Sequence, residues 1–267
     1  LPKMLNPANS TEESVRKAGV EVPLMIMRGD GGVMEINEMK KRPVLTMLSG
    51  PAASVMGSLM YLRASNGVYF EVGGTTTNIG VIKNGRPAID YSVVGGHRTY
   101  ISSLDVRVLG VAGGSMIRVN KSGVHDVGPR SAHIAGLDYA VFTDEEEIVE
   151  PRLEFFSPKE GDPEDYVAIR LKSGKRITIT NSCAANVLGL VTPKDFSYGS
   201  VNSARKAMQP IADYLNTTVE DVASQILTRA YEKIEPIIME LADKYRLEHD
   251  QISLVGVGGG AASLIVY

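Results

Sequence analysis

Two adjacent glycines, Gly73 and Gly74, are followed by Thr75, Thr76 and Thr77 and flanked by Glu71 and Asn78. Glycine carries no Cβ, so backbone N–H groups at such a step can close on an anion, and threonine hydroxyls add donors. This composition suits a phosphate; a plain glycine hairpin is the competing reading of the loop taken alone. A second run, Gly258-Gly259-Gly260, follows an apolar segment at Ile252 to Val257 and precedes Ala261, Ala262 and Ser263. A buried strand that opens through glycines into a helix start aims N–H groups and the positive end of the helix dipole at the loop. That makes an anion or nucleotide platform, with an ordinary strand-to-helix turn as the alternative. Neither run fits Gly-x-Gly-x-x-Gly with an acidic residue ~20 positions on, which disfavours a dinucleotide fold. A Gly-x4-Gly-Lys-Ser/Thr phosphate loop is also missing from the sequence.

Other chemically competent residues are more isolated. Asp105 lies in an apolar segment, where a carboxylate needs a partner, and reads as a site residue or a structural one. His97-Arg98, after Gly95-Gly96, could bind an anion or stabilise its own loop. His125, His133 and His249 lack metal-ligand spacing, which argues against a metal-dependent hydrolase working without ATP. Cys183, between Ser182 and Ala184, reads as a small buried packing residue. A single cysteine excludes an internal disulfide framework and a multi-Cys zinc site. No Ser-His-Asp or Cys-His arrangement emerges from the linear order.

The elements that would position these residues follow from periodicity. Pro23 to Met27 reads as a short strand that ends in the turn Arg28-Gly29-Asp30-Gly31-Gly32. Arg42-Pro43 leads into the apolar Val44 to Leu48, then Ser49-Gly50-Pro51, with a small-residue helix over Ala52 to Leu62 that stops at Ser65-Asn66-Gly67. Period-two alternation gives strands at Val68 to Val72 and Ile79 to Lys83, and Asn84-Gly85 is a two-residue hairpin turn. Residues 86–94 are expected to form a third strand that closes a meander. Gly110-Val111-Ala112-Gly113-Gly114-Ser115 is a further glycine loop with apolar flanks. Residues 138–180 read as a small α+β insertion: the acidic run Asp144 to Glu147, a loop at Pro158 to Pro163, and hairpin strands at Tyr166 to Leu171 and Lys175 to Ile179 around Ser173-Gly174. The last third is helical, over Ser200 to Leu215 and then, after the cap-like Thr218-x-x-Asp221, a long amphipathic run from Val219 that ends near Glu248-His249-Asp250.

Composition bounds the class. The chain has 267 residues, 43% of them hydrophobic, with 27 glycines and 13 prolines. That supports a substantial core and many tight turns. A formal charge of −3 offers no basic bulk for a nucleic-acid partner. No apolar run nears the roughly 18 residues of a membrane helix, and the expectation is a cytoplasmic protein without membrane or nucleic-acid partners. Leu1 in place of Met suggests a segment of something longer.

The two main glycine loops, separated by a long helix, have the layout of one half of an actin-like, sugar-kinase-like ATPase. Over nearly the whole length the sequence resembles the ATP-dependent hydantoinase/5-oxoprolinase family, which also includes acetone carboxylase subunits. The matching residues are Arg42-Pro43 with Leu48-Ser49-Gly50-Pro51-Ala52-Ala53, then Val72-Gly73-Gly74-Thr75-Thr76-Thr77 and Gly95-Gly96-His97-Arg98. Leu104-Asp105, Gly110 to Ser115, Gly128-Pro129-x-Ser131-Ala132 and Gly258-Gly259-Gly260 complete the set. The resemblance implies an α/β, actin-like (ribonuclease H-like) domain with a mixed sheet flanked by helices, formed by residues 1–137 and 181–267. It implies ATP and Mg²⁺ as cofactors and a small cyclic amide as substrate, opened after phosphorylation of its amide oxygen. Gly73, Gly74, Thr75 and Thr76 would hold phosphate and Gly258, Gly259 and Gly260 the nucleoside. Glu71 would act as a catalytic carboxylate orienting Mg²⁺ through water, with Asp105 as a second candidate carboxylate. Because a two-lobed ATPase needs an earlier, opposing glycine hairpin, the resemblance also implies a missing N-terminal lobe as partner, and a second hydantoinase-type subunit. A degenerate nucleotide-binding or scaffold module is the alternative. Where the family reads Asp-x-Gly-Gly-Thr-x-Thr-Asp, this chain has Glu71 and Asn78 at the acidic positions. After Ser131-Ala132 it reads His133-Ile134-Ala135-Gly136 in place of the family's Gly-Pro pattern.

Overall fold

A computed structural model describes residues 2–62, 66–94, 96–248 and 252–265. Of the sequence signals, Ser65, Gly95, His249 and Asp250 lie outside the described residues. Two compact units emerge. One comprises Leu1–Tyr69, Gly80–Val106 and Leu247–Val255, and the other Phe70–Ile79, Arg107–Arg246 and Gly256–Tyr267.

The first unit opens with α1 (Pro2–Lys17), which the sequence reading does not anticipate. Pro2 and Pro7 mask its periodicity, yet its last turn carries Arg16 and Lys17, which complement the helix dipole. Strands β1 (Met25–Met27) and β2 (Val33–Glu35) pair antiparallel across the predicted glycine turn, where the Gly32 N–H bonds the Asp30 carboxylate at 3.0 Å. Next come α2 (Ile36–Lys41), a 3₁₀ turn at Pro43–Thr46 and α3 (Ser49–Leu62). Ala8, Met34, Ile36 and Met39 form the local core, backed by Leu24, Ile26 and Leu45.

Strands β3 (Gly67–Val72) and β4 (Thr77–Lys83) contribute residues to both units. Both positions of the turn after β4 take positive φ, 52° at Asn84 and 70° at Gly85, as the hairpin signal requires. The meander expected over residues 86–94 is corrected. β5 (Arg86–Pro87) continues the pairing with β4, but β6 (Ile89–Val94) pairs instead with β7 (His97–Leu104) in a separate ribbon. The bonding to β4 runs past Pro87 to Ala88, whose N–H reaches Val81 O at 2.8 Å, and β6 begins at the next residue.

The remainder forms β8 (Val106–Leu109), β9 (Ser115–Asn120), β10 (Gly123–Ser131), the short α4 (Ala132–Ala135), β11 (Asp138–Tyr139), β12 (Arg152–Phe156), β13 (Tyr166–Arg170) and β14 (Arg176–Thr178). The expected hairpin at residues 166–179 forms, with Ile169 opposite Ile177 and Gly174 at φ 88°. Residues 138–180 supply β11 to β14 to the sheet β10–β9–β13–β14–β11, with β12 added beside β13. The sheet is mixed, since β11 and β14 run parallel while β9 and β10 run antiparallel.

Helices α5 (Asn181–Val187), α6 (Val201–Leu215) and α7 (Val219–Tyr245) follow. The predicted cap operates: the Asp221 N–H bonds the Thr218 hydroxyl at 3.1 Å. α7 buries Val219, Val222, Ile226, Ala230, Ile234 and Leu241 at the three- and four-residue steps read from the sequence. It also closes the exposed edge of β10. Gln225 accepts from the Val124 N–H at 2.9 Å, and Lys233 donates to Val127 O at 2.8 Å. The chain then forms β15 (Ser253–Val257), in the sheet ordered β15–β3–β4–β5, and α8 (Ala261–Leu264). The apolar run at β15 predicts a buried strand. Val255 is buried, but Leu254 is 53% exposed.

Candidate functional site

The hairpin loop between β3 and β4 is closed by its own backbone, the Gly73 N–H bonding Thr76 O at 3.1 Å. Thr77 turns inward and donates its hydroxyl to Val111 O at 2.5 Å, which anchors the loop's far side to the Gly110–Ser115 segment. Thr75 shares a hydroxyl–hydroxyl bond of 3.1 Å with Ser131, the residue that caps α4. Among the described residues no acceptor is bonded to the N–H groups of Gly74, Thr75 or Thr76. Three successive unbonded donors at a loop tip are the kind of group that an anion site uses.

Two further glycine segments are bonded directly to this loop. The N–H groups of Gly113 and Gly114 donate to Gly73 O and Gly74 O at 3.1 and 3.0 Å, and the Gly260 N–H donates to Val72 O at 2.9 Å. These approaches require glycine. A Cβ on Gly260 would lie 2.8 Å from Gly73 O and 3.2 Å from Gly113 N, and one on Gly114 would overlap the Tyr139 hydroxyl and the Gly74 carbonyl. Gly258 sits at φ 91°, which lets the strand turn toward the hairpin. From the other side Ser182, at the start of α5, donates both its N–H and its hydroxyl to Gly113 O at 2.9 and 3.0 Å.

The three glycine segments line a cavity of about 350 Å³, together with Tyr139, Phe142, Ser182, Phe196 and Ser197. This lies within the range of small-ligand sites, roughly 300–1,000 Å³. A second cavity of about 560 Å³ adjoins Gly74 and Thr75 and is lined also by His133, Leu137 and Asp138. Tyr139 and Phe142 line both, with their rings stacked at 5.6 Å. Burial, followed by the neighbouring Cys183, raises the Tyr139 pKa, so at neutral pH the phenol stays protonated as a donor. No residue lining the first cavity carries a formal charge. A polyanion held there would meet N–H dipoles, and its charge would have to be offset by a cation.

Gly73, Gly74, Gly259 and Gly260 therefore meet at one cavity, with Thr75 at the next and Gly258 supplying the turn. Gly113 and Gly114, legible in the sequence as a glycine loop, supply a wall that sequence reasoning does not assign to the site. Glu71 and Asn78 face each other, the Asn78 amide donating to Glu71 at 2.8 Å, but neither lines either of these two cavities. Asp105 is buried at 8% exposure in the first unit, between β7 and β8, and is not among the cavity residues. Arg98 bonds Asp90 at 2.8 Å and covers Tyr91, the loop-stabilising alternative of its sequence reading. His125 pairs with Asp165 at 2.8 Å. Cys183 is buried, and burial pushes its thiol pKa up. Among the described residues no three His, Cys, Asp or Glu side chains gather as a metal site, and no helix is long and apolar enough to cross a membrane.

A mixed sheet flanked by helices, with glycine loops converging on one cavity, defines an α/β domain with a small-ligand site. The hydantoinase/oxoprolinase family model matches residues 1–267, and the chain belongs to that family. The alpha subunit of caprolactamase from Pseudomonas jessenii is 30% identical over 118 residues, which cover 43% of this chain and 17% of that subunit. Two solved structures share the fold over 97% of the chain. A nucleotide-free acetone carboxylase, from work on ATP-dependent acetone carboxylation, has a TM-score of 0.66 at 19% identity, and the ATP-dependent caprolactamase of P. jessenii 0.64 at 21%. The chain spans 34% of each of those structures.

Proposed function

We propose that this chain is one nucleotide-binding lobe of an ATP-dependent enzyme that acts on a cyclic amide or a related small substrate. The observation that carries the proposal is the convergence of the loops at residues 73–76, 113–114 and 258–260 on one cavity through backbone bonds, with three unbonded N–H groups at the hairpin tip. Family membership and the ATP dependence named for the two solved neighbours support the same reading. Gly73, Gly74, Thr75 and Thr76 would cradle the phosphates, and Gly258 to Gly260 would contact the nucleoside. Mg²⁺ is commonly held by one or two carboxylates plus substrate phosphates, and the lining of the first cavity would leave the phosphates as its main ligands. Glu71, bonded to the Asn78 amide and absent from the lining of both cavities, would reach such an ion only through water. The nucleotide, when bound, supplies a phosphoryl group whose transfer to an amide oxygen opens the carbon to water. The chain's own part is to orient the phosphates and stabilise their charge with fixed N–H dipoles. For Asp105, burial away from the cavities supports the structural role.

A second reading, a scaffold module with a degenerate site, is favoured by the Glu71–Asn78 contact, which engages the Glu71 carboxylate with a neutral partner. Turnover separates the two. Joined with the rest of its enzyme, the lobe should support ADP release that depends on a lactam or hydantoin, with little turnover by the 267-residue chain alone. Steady ATP hydrolysis by that chain alone would sink the single-lobe reading, and a silent assembled enzyme would favour the scaffold.

A further inference from the structure

Phe196 is 89% exposed, an unusual position for a phenyl ring. Its ring lies over the Gly259 backbone: a Cβ added there would come within 2.7 Å of ring carbon Cδ1. The loop that presents it is firmly tied. Thr192 donates its N–H and its hydroxyl to Asp195, each at 2.7 Å, and the Tyr198 N–H returns to Asp195 O at 3.1 Å. Asn186 of the buried α5 donates to Ser197 O at 2.8 Å and accepts from the Gly199 N–H at 3.0 Å. Next to Phe196, Ser197 is 3% exposed and lines the first cavity, yet its hydroxyl has no hydrogen-bond partner. A buried hydroxyl without a partner is costly, whereas a ligand atom in the cavity would satisfy it.

We infer that Phe196 and Ser197 form a base-recognition element in this cavity: Phe196 stacks on a nucleobase, and the Ser197 hydroxyl bonds a polar atom of the nucleoside. This rests on the nucleotide-binding reading and adds residues that the glycine pattern does not contain. A flat π-face held on a fixed loop accepts a base without the entropy cost of ordering the loop. The serine can donate or accept and so complements either kind of polar edge. The Tyr139–Phe142 stack supplies further aromatic surface in the same cavity.

The sequence contains no tryptophan, so Phe196→Trp places a single fluorophore at the site. Its emission should be quenched by millimolar ATP and by adenosine, but not by inorganic tripolyphosphate. Phe196→Ala should weaken ATP binding roughly ten- to one-hundred-fold while leaving tripolyphosphate binding unchanged. Phe196→Leu, which keeps the bulk and loses the ring, should resemble it, and Ser197→Ala should weaken ATP alone. If wild type binds ATP and the Phe196 variants bind it equally well, the base-recognition element is wrong while the nucleotide reading stands. If wild type binds neither ATP nor tripolyphosphate, both fall together.

Discussion

Gly114 has no room for a side chain. A Cβ there would overlap the Tyr139 hydroxyl and the Gly74 carbonyl, and the Gly74 carbonyl is backbone fixed by its bond to the Gly114 N–H. Gly114→Ala is therefore expected to lower stability by about 1–3 kcal/mol, the usual cost of overpacking, as read by urea denaturation. A variant as stable as wild type would show that the two loops are less tightly joined than these distances imply. At this scale the sequence is informative where neighbours in the chain are also neighbours in space. Gly73-Gly74-Thr75 and Gly258-Gly259-Gly260 announce a close approach by type and adjacency alone. Tyr139, Ser182, Phe196 and Ser197 are not legible in the same way. Each meets the glycines from a distant part of the chain, through tertiary folding alone, and none carries a pattern of its own. Ser182 comes nearest to a signal, as a small polar residue beside the buried Cys183.

Elements are legible in proportion to the strength of their periodicity. α7 shows a continuous apolar stripe and a capping threonine, and it forms where those signals place it. α1 has two prolines and one described buried apolar residue, Ala8, so no periodic signal reveals it. The ribbon β6–β7 escapes sequence reading because alternation specifies a strand but not its partner. One link between elements gives a pH-dependent prediction. Arg118 on β9 bonds Asp126 on β10, and Asp165 just before β13 at 2.7 Å, while His125 reaches the same Asp165. Partial burial opposes ionisation of Asp165, but the Arg118 and His125 hydrogen bonds outweigh it and hold its pKa below the ordinary 3.8. A carboxylate with a lowered folded-state pKa contributes stability that is present above its unfolded value and is lost as pH falls through the folded one. Stability should thus decline as the pH falls below about 4, and Asp165→Asn should be less stable at neutral pH with a flatter acid limb. An unchanged acid limb, measured by thermal melting across pH, would remove this cluster from the account.

For the whole molecule, family membership follows from a match along the full chain, while the solved relatives are about three times longer. The fold class is readable because the order of loops is a property of the chain. Which strands share a compact unit is not, since β3, β4 and β15 each serve both. The central claim is that three glycine loops in one unit make a nucleotide site. Calorimetric titration of the chain with ATP in the presence of Mg²⁺ tests it most directly, alongside Gly74→Val, whose added bulk would press on the Tyr139 hydroxyl and cover the hairpin donors. Binding should be saturable, with a stoichiometry near one, and Gly74→Val should remove it while the fold survives by circular dichroism. No heat at millimolar nucleotide, or binding that Gly74→Val leaves intact, would contradict it.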